Sequence, residues 1–187
     1  MSMRGMAASA AVAVSIAVCG SAAGAAEVIV PMMHIAADGS GYSIGSIRLR
    51  DSKNGLLIRF RLNDQVPAGL HGTHVHENPS CAPMEKDGVM VAGLAAGGHY
   101  DPGKTGRHEG PSGNGHLGDL PLLYVDTDED GSKPARHTVV APRLKVADVL
   151  GRSIVIHADG DNYHDTPSPL GGGGGRIACG IVPRTAK

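Results

Sequence analysis

The stretch GSIRLRDSKNGLLIRFRLND, residues 45–64, decides the fold class. In its first half Ile47 and Leu49 alternate with Arg48 and Arg50. In its second half Ile58, Phe60 and Leu62 alternate with Leu57, Arg59 and Arg61. A period of two is that of a β-strand with one face buried. Between the halves stands SKNG, Ser52 to Gly55, whose Asn-Gly pair favours the tight turn of a hairpin. Outward from this hairpin, EVIVPMMHIA (27–36), HTVVAPRL (137–144), SIVIHA (153–158) and RIACGIV (176–182) read as further strands. KVADVLG (145–151) amounts to one or two helical turns. The expected fold is all-β, an antiparallel sandwich or barrel. Two long glycine-rich loops, about 78–119 and 159–175, interrupt it. Loops of that length are unusual unless something holds them.

Composition agrees. The 187 residues include 28 Gly and 12 Pro, which favours turns over helices. Aromatic residues are 3% of the chain, so the core must be built from Val, Ile, Leu, Ala and Met. A formal charge of −1 suggests neither nucleic acid nor an anionic membrane as partner.

Residues 1–26 have the layout of a cleavable secretory signal. Arg4 is followed by an apolar run from about Met6 to Cys19 and a small-residue exit, with cleavage after Ala25 or Ala26. The run is too short and too Ala-rich for a good membrane span. Lipoprotein processing at Cys19 is the less favoured rival, because Val18 stands where a small residue would be expected. The domain is then 27–187. It has lost one Arg and no acid, so the charge moves from −1 to −2. Cys81 and Cys179 remain, an even pair in an exported chain, and a disulfide is expected. Two unpaired buried thiols are the alternative.

All ten histidines lie in the domain. HGTHVH (71–76) holds His71, His74 and His76. On a strand His74 and His76 point to one face and can converge on one ion. His157 ends the apolar strand SIVIH and is a candidate third ligand. Such a nitrogen donor set suits copper, zinc, iron or nickel. A second cluster, His99, His108, His116 and Asp119, has spacings that match no helical motif but fit a loop wrapped around an ion. Three imidazoles and one carboxylate fill a tetrahedral zinc shell. A lone loop histidine is more often solvated than ligating, but the joint pattern argues against that reading.

The segments GLHGTHVHENPSC (69–81), AAGGHYDP (95–102), GHLGDLP (115–121), IHADGDN (156–162) and LGGGGGRIACGIV (170–182) carry a resemblance. Together they resemble the signature segments of the bacterial periplasmic copper/zinc superoxide dismutases, from about Glu27 to Pro183. That family is itself a standard example of the β-sandwich. The resemblance implies a Greek-key, immunoglobulin-like sandwich or barrel with long metal-binding and electrostatic loops. It implies one copper per subunit, held by His74, His76, His99 and His157. It implies one zinc, held by His99, His108, His116 and Asp119, with His99 bridging the two metals and supplying a proton. Arg176 would guide the anion to copper. Asp161 would link His74 to His108 and orient both rings, and His71 would tie loops together. Cys81 and Cys179 would pair. The implied reaction converts superoxide to O2 and hydrogen peroxide by Cu(II)/Cu(I) cycling and protects the cell envelope from oxidative stress. The implied location is the periplasm, and a homodimer is allowed. Lys86, Lys104, Arg107 and Lys133 are further candidates for steering the substrate, with nothing in the sequence to choose among them. Thr73 departs from the family, where Phe is common, and GGGGGR lacks the frequent small side chain before the arginine. The remaining histidines, His34, His137 and His164, are expected to be solvated strand, turn or loop residues.

The rival from another class is a non-catalytic exported copper/zinc-binding protein. It would need the ligands but not Arg176.

Overall fold

The computed structural model describes residues 27–126 and 135–186. The candidate signal 1–26 and Lys133 lie outside the described residues.

The hairpin that decided the fold class forms as expected. β1 is Glu27–His34, β2 is Ser43–Ser52 and β3 is Gly55–Leu62. β2 and β3 pair antiparallel from Gly45↔Leu62 to Ser52↔Gly55. Ile47, Leu49, Ile58, Phe60 and Leu62 are buried on one face, while Arg50, Arg59 and Arg61 stay in water. β4 (Gly69–His71) and β5 (Thr73–His76) are almost one strand, broken at Gly72. The remaining strands are β6 (Met84–Lys86), β7 (Val89–Val91), β8 (Leu123–Val125), β9 (Ala135–Ala141), β10 (Ser153–His157) and β11 (Arg176–Ile181). One short helix, α1, spans Val146–Val149. Among the described residues no helix is long and apolar enough to cross a membrane.

Seven strands form one antiparallel sheet in the order β5-β10-β11-β1-β2-β3-β9. β4 leaves β5 at Gly72 and pairs with β8 instead. The connections from β3 to β4 and from β9 to β10 cross between the two ends of this order, and β11 returns to pair with β1. This is the Greek-key pattern expected. The sheet curls over a main apolar interior in which Val28, Val30, Met32, Phe60, Val75, Ile154 and Ile156 meet.

The long loops are less irregular than the sequence suggested. β6 and β7 form a small hairpin inside the first loop, turned by Asp87 (φ 53°) and Gly88 (φ 79°). Positive φ at both turn positions is the signature of an Asp-Gly type I′ turn. The segment EKDGVM therefore carried a hairpin signal of its own. Cys81 and Cys179 form the expected disulfide, with Cα atoms 5.7 Å apart. It sits in a second small apolar cluster with Ile35, Ala92, Ala96 and Val155, and fastens the first loop to β11.

Candidate metal centre

β5 is buried on both faces, and alternation sorts its side chains. Val75 joins the core, while His74 and His76 point the other way. β10 pairs with β5 in the register His74↔Val155 and His76↔Ser153. His157 therefore leaves β10 on the same face as His74 and His76. Two single bridges bring the loop residues to this edge, His76↔His99 and His74↔Asp119.

His74, His76, His99 and His157 each present one ligand-type atom, all within 4.8 Å of one another. The pattern of hydrogen bonds says which atoms. His74 Nε2 faces Asp161 Oδ2 at 2.9 Å, His76 Nδ1 faces the Gly97 carbonyl at 3.0 Å, and His157 Nδ1 faces the Gly174 carbonyl at 3.2 Å. The opposite nitrogens, His74 Nδ1, His76 Nε2 and His157 Nε2, are buried with no hydrogen-bond partner. Buried orphan nitrogens are costly, and few groups other than an ion could satisfy several at once. An outer hydrogen bond on the far nitrogen also fixes the tautomer a ligand needs. Burial and the neighbouring histidines push His74 and His76 well below the ordinary imidazole pKa, and burial takes His157 down to about 4. These three rings are neutral at pH 7, the form that binds metal.

A second group surrounds Asp119, which is buried. His99 Nδ1 lies 3.0 Å from Asp119 Oδ1, His108 Nδ1 lies 3.1 Å from Oδ2, and His116 Nδ1 lies 3.4 Å from Oδ1. His108 Nδ1 and His116 Nδ1 are close to the carboxylate yet make no hydrogen bond with it. Three ring nitrogens thus stand 3.0–3.4 Å from one buried carboxylate, a nitrogen and oxygen donor set of the kind zinc takes. The tightest group of this kind contains His74, His99, His108 and Asp119, with His116 beside it. His74 enters because its ring stacks on His99 with centroids 3.8 Å apart. Its Nδ1 thus stands near both groups. Both groups are able to hold metal ions, consistent with copper and zinc, but the second has His74 where the expected zinc set had His116.

Asp161 joins the two groups. Its carboxylate accepts from His74 Nε2 and from His108 Nε2, the latter at 2.8 Å, and also from the Tyr163 amide at 2.7 Å. Although burial works against ionisation, bonds from His108 and His74 hold Asp161 far below the usual carboxylate range. Asp119 is also depressed, against its burial, by the neighbouring His108 and His99 rings. Burial pulls His108 down, but Asp119 and Asp161 outweigh it and raise it to about 9. Metal binding at His108 therefore has to displace a proton. Gly171 covers this bridge in a left-handed conformation (φ 74°), and a side chain there would run into the Asp161 carboxylate.

Arg176 opens β11 beside the cluster. Its guanidinium donates to the Gly93 carbonyl at 2.6 Å and to the Gly97 carbonyl at 2.7 Å. It lines a cleft of about 190 Å³ together with His99, His157, Pro169, Leu170, Gly173 and Gly174. Among the described residues lining this cleft, Arg176 is the cation. Arg107 is instead paired with Glu109 at 2.7 Å on the surface.

His71 is buried outside both groups. Its ring nitrogens face the His157 carbonyl at 2.8 Å and the Pro67 carbonyl at 2.9 Å, so it ties the loop before β4 to the end of β10. Thr73 is fully buried, and its hydroxyl donates to the Pro121 carbonyl at 2.8 Å. The departure from Phe is thus accommodated with its polar atom satisfied. His34 and His137 are more engaged than expected. His34 stacks on Tyr42 with centroids 4.6 Å apart, and His137 Nδ1 accepts from the Tyr124 amide at 3.1 Å. His164 is an exposed loop residue, as expected.

Several residues that shape the site had no signal in the sequence. Asp165 accepts from the His108 amide at 2.9 Å. The Tyr163 hydroxyl accepts from the Leu122 amide at 3.0 Å. Arg143 donates to carbonyls of the loop that carries His116. A lone Arg or Asp in a loop looks the same whether it faces solvent or a backbone carbonyl.

Comparison with known proteins places this geometry. Residues 43–182 match the family model described as copper/zinc superoxide dismutase. The copper/zinc superoxide dismutase of Brucella abortus is 52% identical over 145 residues, covering 77% of this chain and 81% of that protein. The solved copper/zinc superoxide dismutase from Brucella abortus superposes with a TM-score of 0.78 at 47% identity, covering 83% of this chain and 99% of that one. The solution structure of the monomeric enzyme from Salmonella enterica gives 0.73 at 47% identity, covering 84% and 99%. A family match over most of the domain, on a fold that brings both histidine groups to one sheet edge, leaves one assignment: the chain belongs to the copper/zinc superoxide dismutase family.

Proposed function

We propose that the chain carries out superoxide dismutation with copper held by His74 Nδ1, His76 Nε2, His157 Nε2 and the outer nitrogen of His99. In the same reading, zinc is held by the Nδ1 atoms of His99, His108 and His116 and by Asp119. The carrying observation is the convergence of three buried, unpartnered ring nitrogens, on His74, His76 and His157, whose far sides are fixed by hydrogen bonds. When bound, copper supplies the one-electron cycling that zinc lacks.

The chain's own residues supply the rest. Two superoxide anions and two protons give O2 and hydrogen peroxide, so the site must attract an anion and deliver protons. Arg176 provides a permanent charge at the cleft, with two of its N–H groups spent on carbonyls that fix its plane. The whole protein is slightly acidic, so this local field must overcome weak overall repulsion. Asp119 fixes His99 through Nδ1, so that its outer nitrogen, the copper ligand of this reading, would hold a proton at the cleft whenever it does not hold the metal. A non-catalytic metal store would not need a guanidinium fastened there.

We read 1–26 as a cleaved export signal, 27–187 as the enzyme domain and the periplasm as its location. The disulfide supports an oxidising compartment. Mass spectrometry of the mature N-terminus tests this, and an intact Met1 or a lipidated Cys19 would overturn it. A homodimer has one favouring feature, exposed Leu70 and Tyr124 paired side by side on β4 and β8. Sedimentation equilibrium tests it, and a single-chain mass would set it aside. For the main reading, metal analysis with a superoxide assay is decisive. His157→Ala should lose copper and activity while keeping zinc, and full activity in that variant would sink the copper assignment.

A further inference from the structure

The segment that carries His108 and His116 is poorly equipped to hold its own shape. Residues 109–115, EGPSGNG, contain no Val, Ile, Leu, Met or aromatic side chain, so the loop cannot anchor itself in the core. Two bonds close it from inside, His116 amide to Arg107 carbonyl at 2.8 Å and Asn114 amide to Glu109 Oε2 at 2.8 Å. The closure turns four carbonyls of one side toward a common point. Arg143 occupies that point. Its Nε donates to the Pro111 carbonyl at 3.0 Å, Nη1 to the Gly115 carbonyl at 3.1 Å, and Nη2 to the Gly110 carbonyl at 3.1 Å and to the His116 carbonyl.

The residue is well placed to act as a fixed post. It stands two positions beyond β9 and next to Leu144, which is buried in the main core. Its backbone therefore moves with the sheet, while its guanidinium holds the loop. We infer that Arg143 is a positioning residue for the zinc cluster, fixing His108 and His116 against Asp119 by binding the loop carbonyls between and on them. A planar fork with five N–H donors can serve four divergent carbonyls, whereas an ammonium has three donors at one point. Charged donors to carbonyls are also stronger than neutral ones. Outer partners of this kind commonly change metal affinity by about 10–100-fold when removed. Asp161 fixes His108 from the other side, whereas His116 is held through its backbone, by Arg143, by its own amide bond and by the Asp119 amide at 3.5 Å.

The inference rests on the zinc assignment above, and the test separates the two. Arg143→Lys and Arg143→Gln are purified with both metals, and zinc transfer to a competing chelator is measured beside copper retention. Visible spectra of the forms with Co(II) in the zinc position report the geometry directly, and unfolding of the metal-free forms reports the fold. Expected are a roughly 10–100-fold loss of zinc affinity, altered Co(II) bands and unchanged copper. Lowered metal-free stability with wild-type zinc affinity and Co(II) bands assigns Arg143 to the fold alone and overturns the inference. A wild-type protein that takes up no zinc defeats the zinc assignment instead. If either variant fails to fold, the Arg143 Nε–H resonance of the wild type decides. It should shift when zinc, but not copper, is added to the metal-free protein, and no shift with zinc overturns the inference.

Discussion

Arg176 and His76 donate to the same atom, the carbonyl oxygen of Gly97, at 2.7 and 3.0 Å. One backbone group thus sets both the anion-guiding cation and a copper-facing ring. Gly97 has a positive φ of 81°, and a side chain there would press on Glu77 and Asn78, so the position calls for glycine. Arg176→Ala removes only one of the two donors. It should keep both metals while the bimolecular rate with superoxide falls about tenfold or more, and the rate should depend less on ionic strength. Stopped-flow decay of superoxide at two salt concentrations checks this, and an unchanged rate would remove Arg176 from steering.

Asp161 touches both groups, so its loss should be felt at both. Asp161→Asn keeps the size but offers one acceptor oxygen to two rings. Zinc affinity should drop about 10–100-fold, and copper spectra should broaden as His74 loses its fixed tautomer. Metal titration of the variant is the check. Wild-type affinity at both positions would show that Asp161 does not orient the rings.

The metal-free protein should be most stable near the ordinary imidazole pKa. His157 is lowered to about 4 and His74 and His76 are well below 6.5, so the unfolded chain binds more protons than the fold at mildly acid pH. Their stabilisation is present above 6.5 and lost as pH falls toward 4, on the order of 3 kcal/mol for His157 alone. His108 is raised to about 9, and its contribution has the opposite sense. It is full below 6.5 and lost as pH rises to about 9. Urea midpoints of chelated protein across this range should fall on both sides. A midpoint that climbs steadily from pH 4 to 9 would contradict the assigned shifts.

Cys81→Ser should lower stability without touching any candidate ligand. The bridge spans 98 residues, a loop for which the chain-entropy model gives roughly 4–5 kcal/mol as an upper figure. It also leaves the Cys179 thiol buried at 0% exposure. Denaturant unfolding under non-reducing conditions should show the loss. Activity should fall too, because the loop that supplies the Gly93 and Gly97 carbonyls is no longer fastened to β11. Equal stability with and without the bridge would mean the fold alone holds that loop.

The strands and the metal chemistry were legible because each rests on local pattern. Period-2 alternation fixes which side of β2 and β3 is buried, whatever lies across from it. The i, i+2 spacing puts His74 and His76 on one face of any strand, and the Asn-Gly turn sets the hairpin between β2 and β3. The small hairpin of β6 and β7 carried an Asp-Gly signal that was obscured by its setting in a long glycine-rich loop. The residue-by-residue ligand sets came through resemblance rather than spacing, since spacings of 9, 8 and 3 specify no geometry.

What only the tertiary structure decided is the set of contacts between segments distant in the chain. Two carbonyls of the first loop hold Arg176, across a separation of 83 residues for Gly93 and 79 for Gly97. Arg143 meets its carbonyl partners 27 to 33 residues away. A backbone carbonyl has no identity in a sequence, because every residue has one. Which carbonyl a guanidinium meets depends on how the sheet curls and where the disulfide pins the loop. Residue types determined that this protein would gather histidines on a β edge. The packing of its loops determined how each ring is turned.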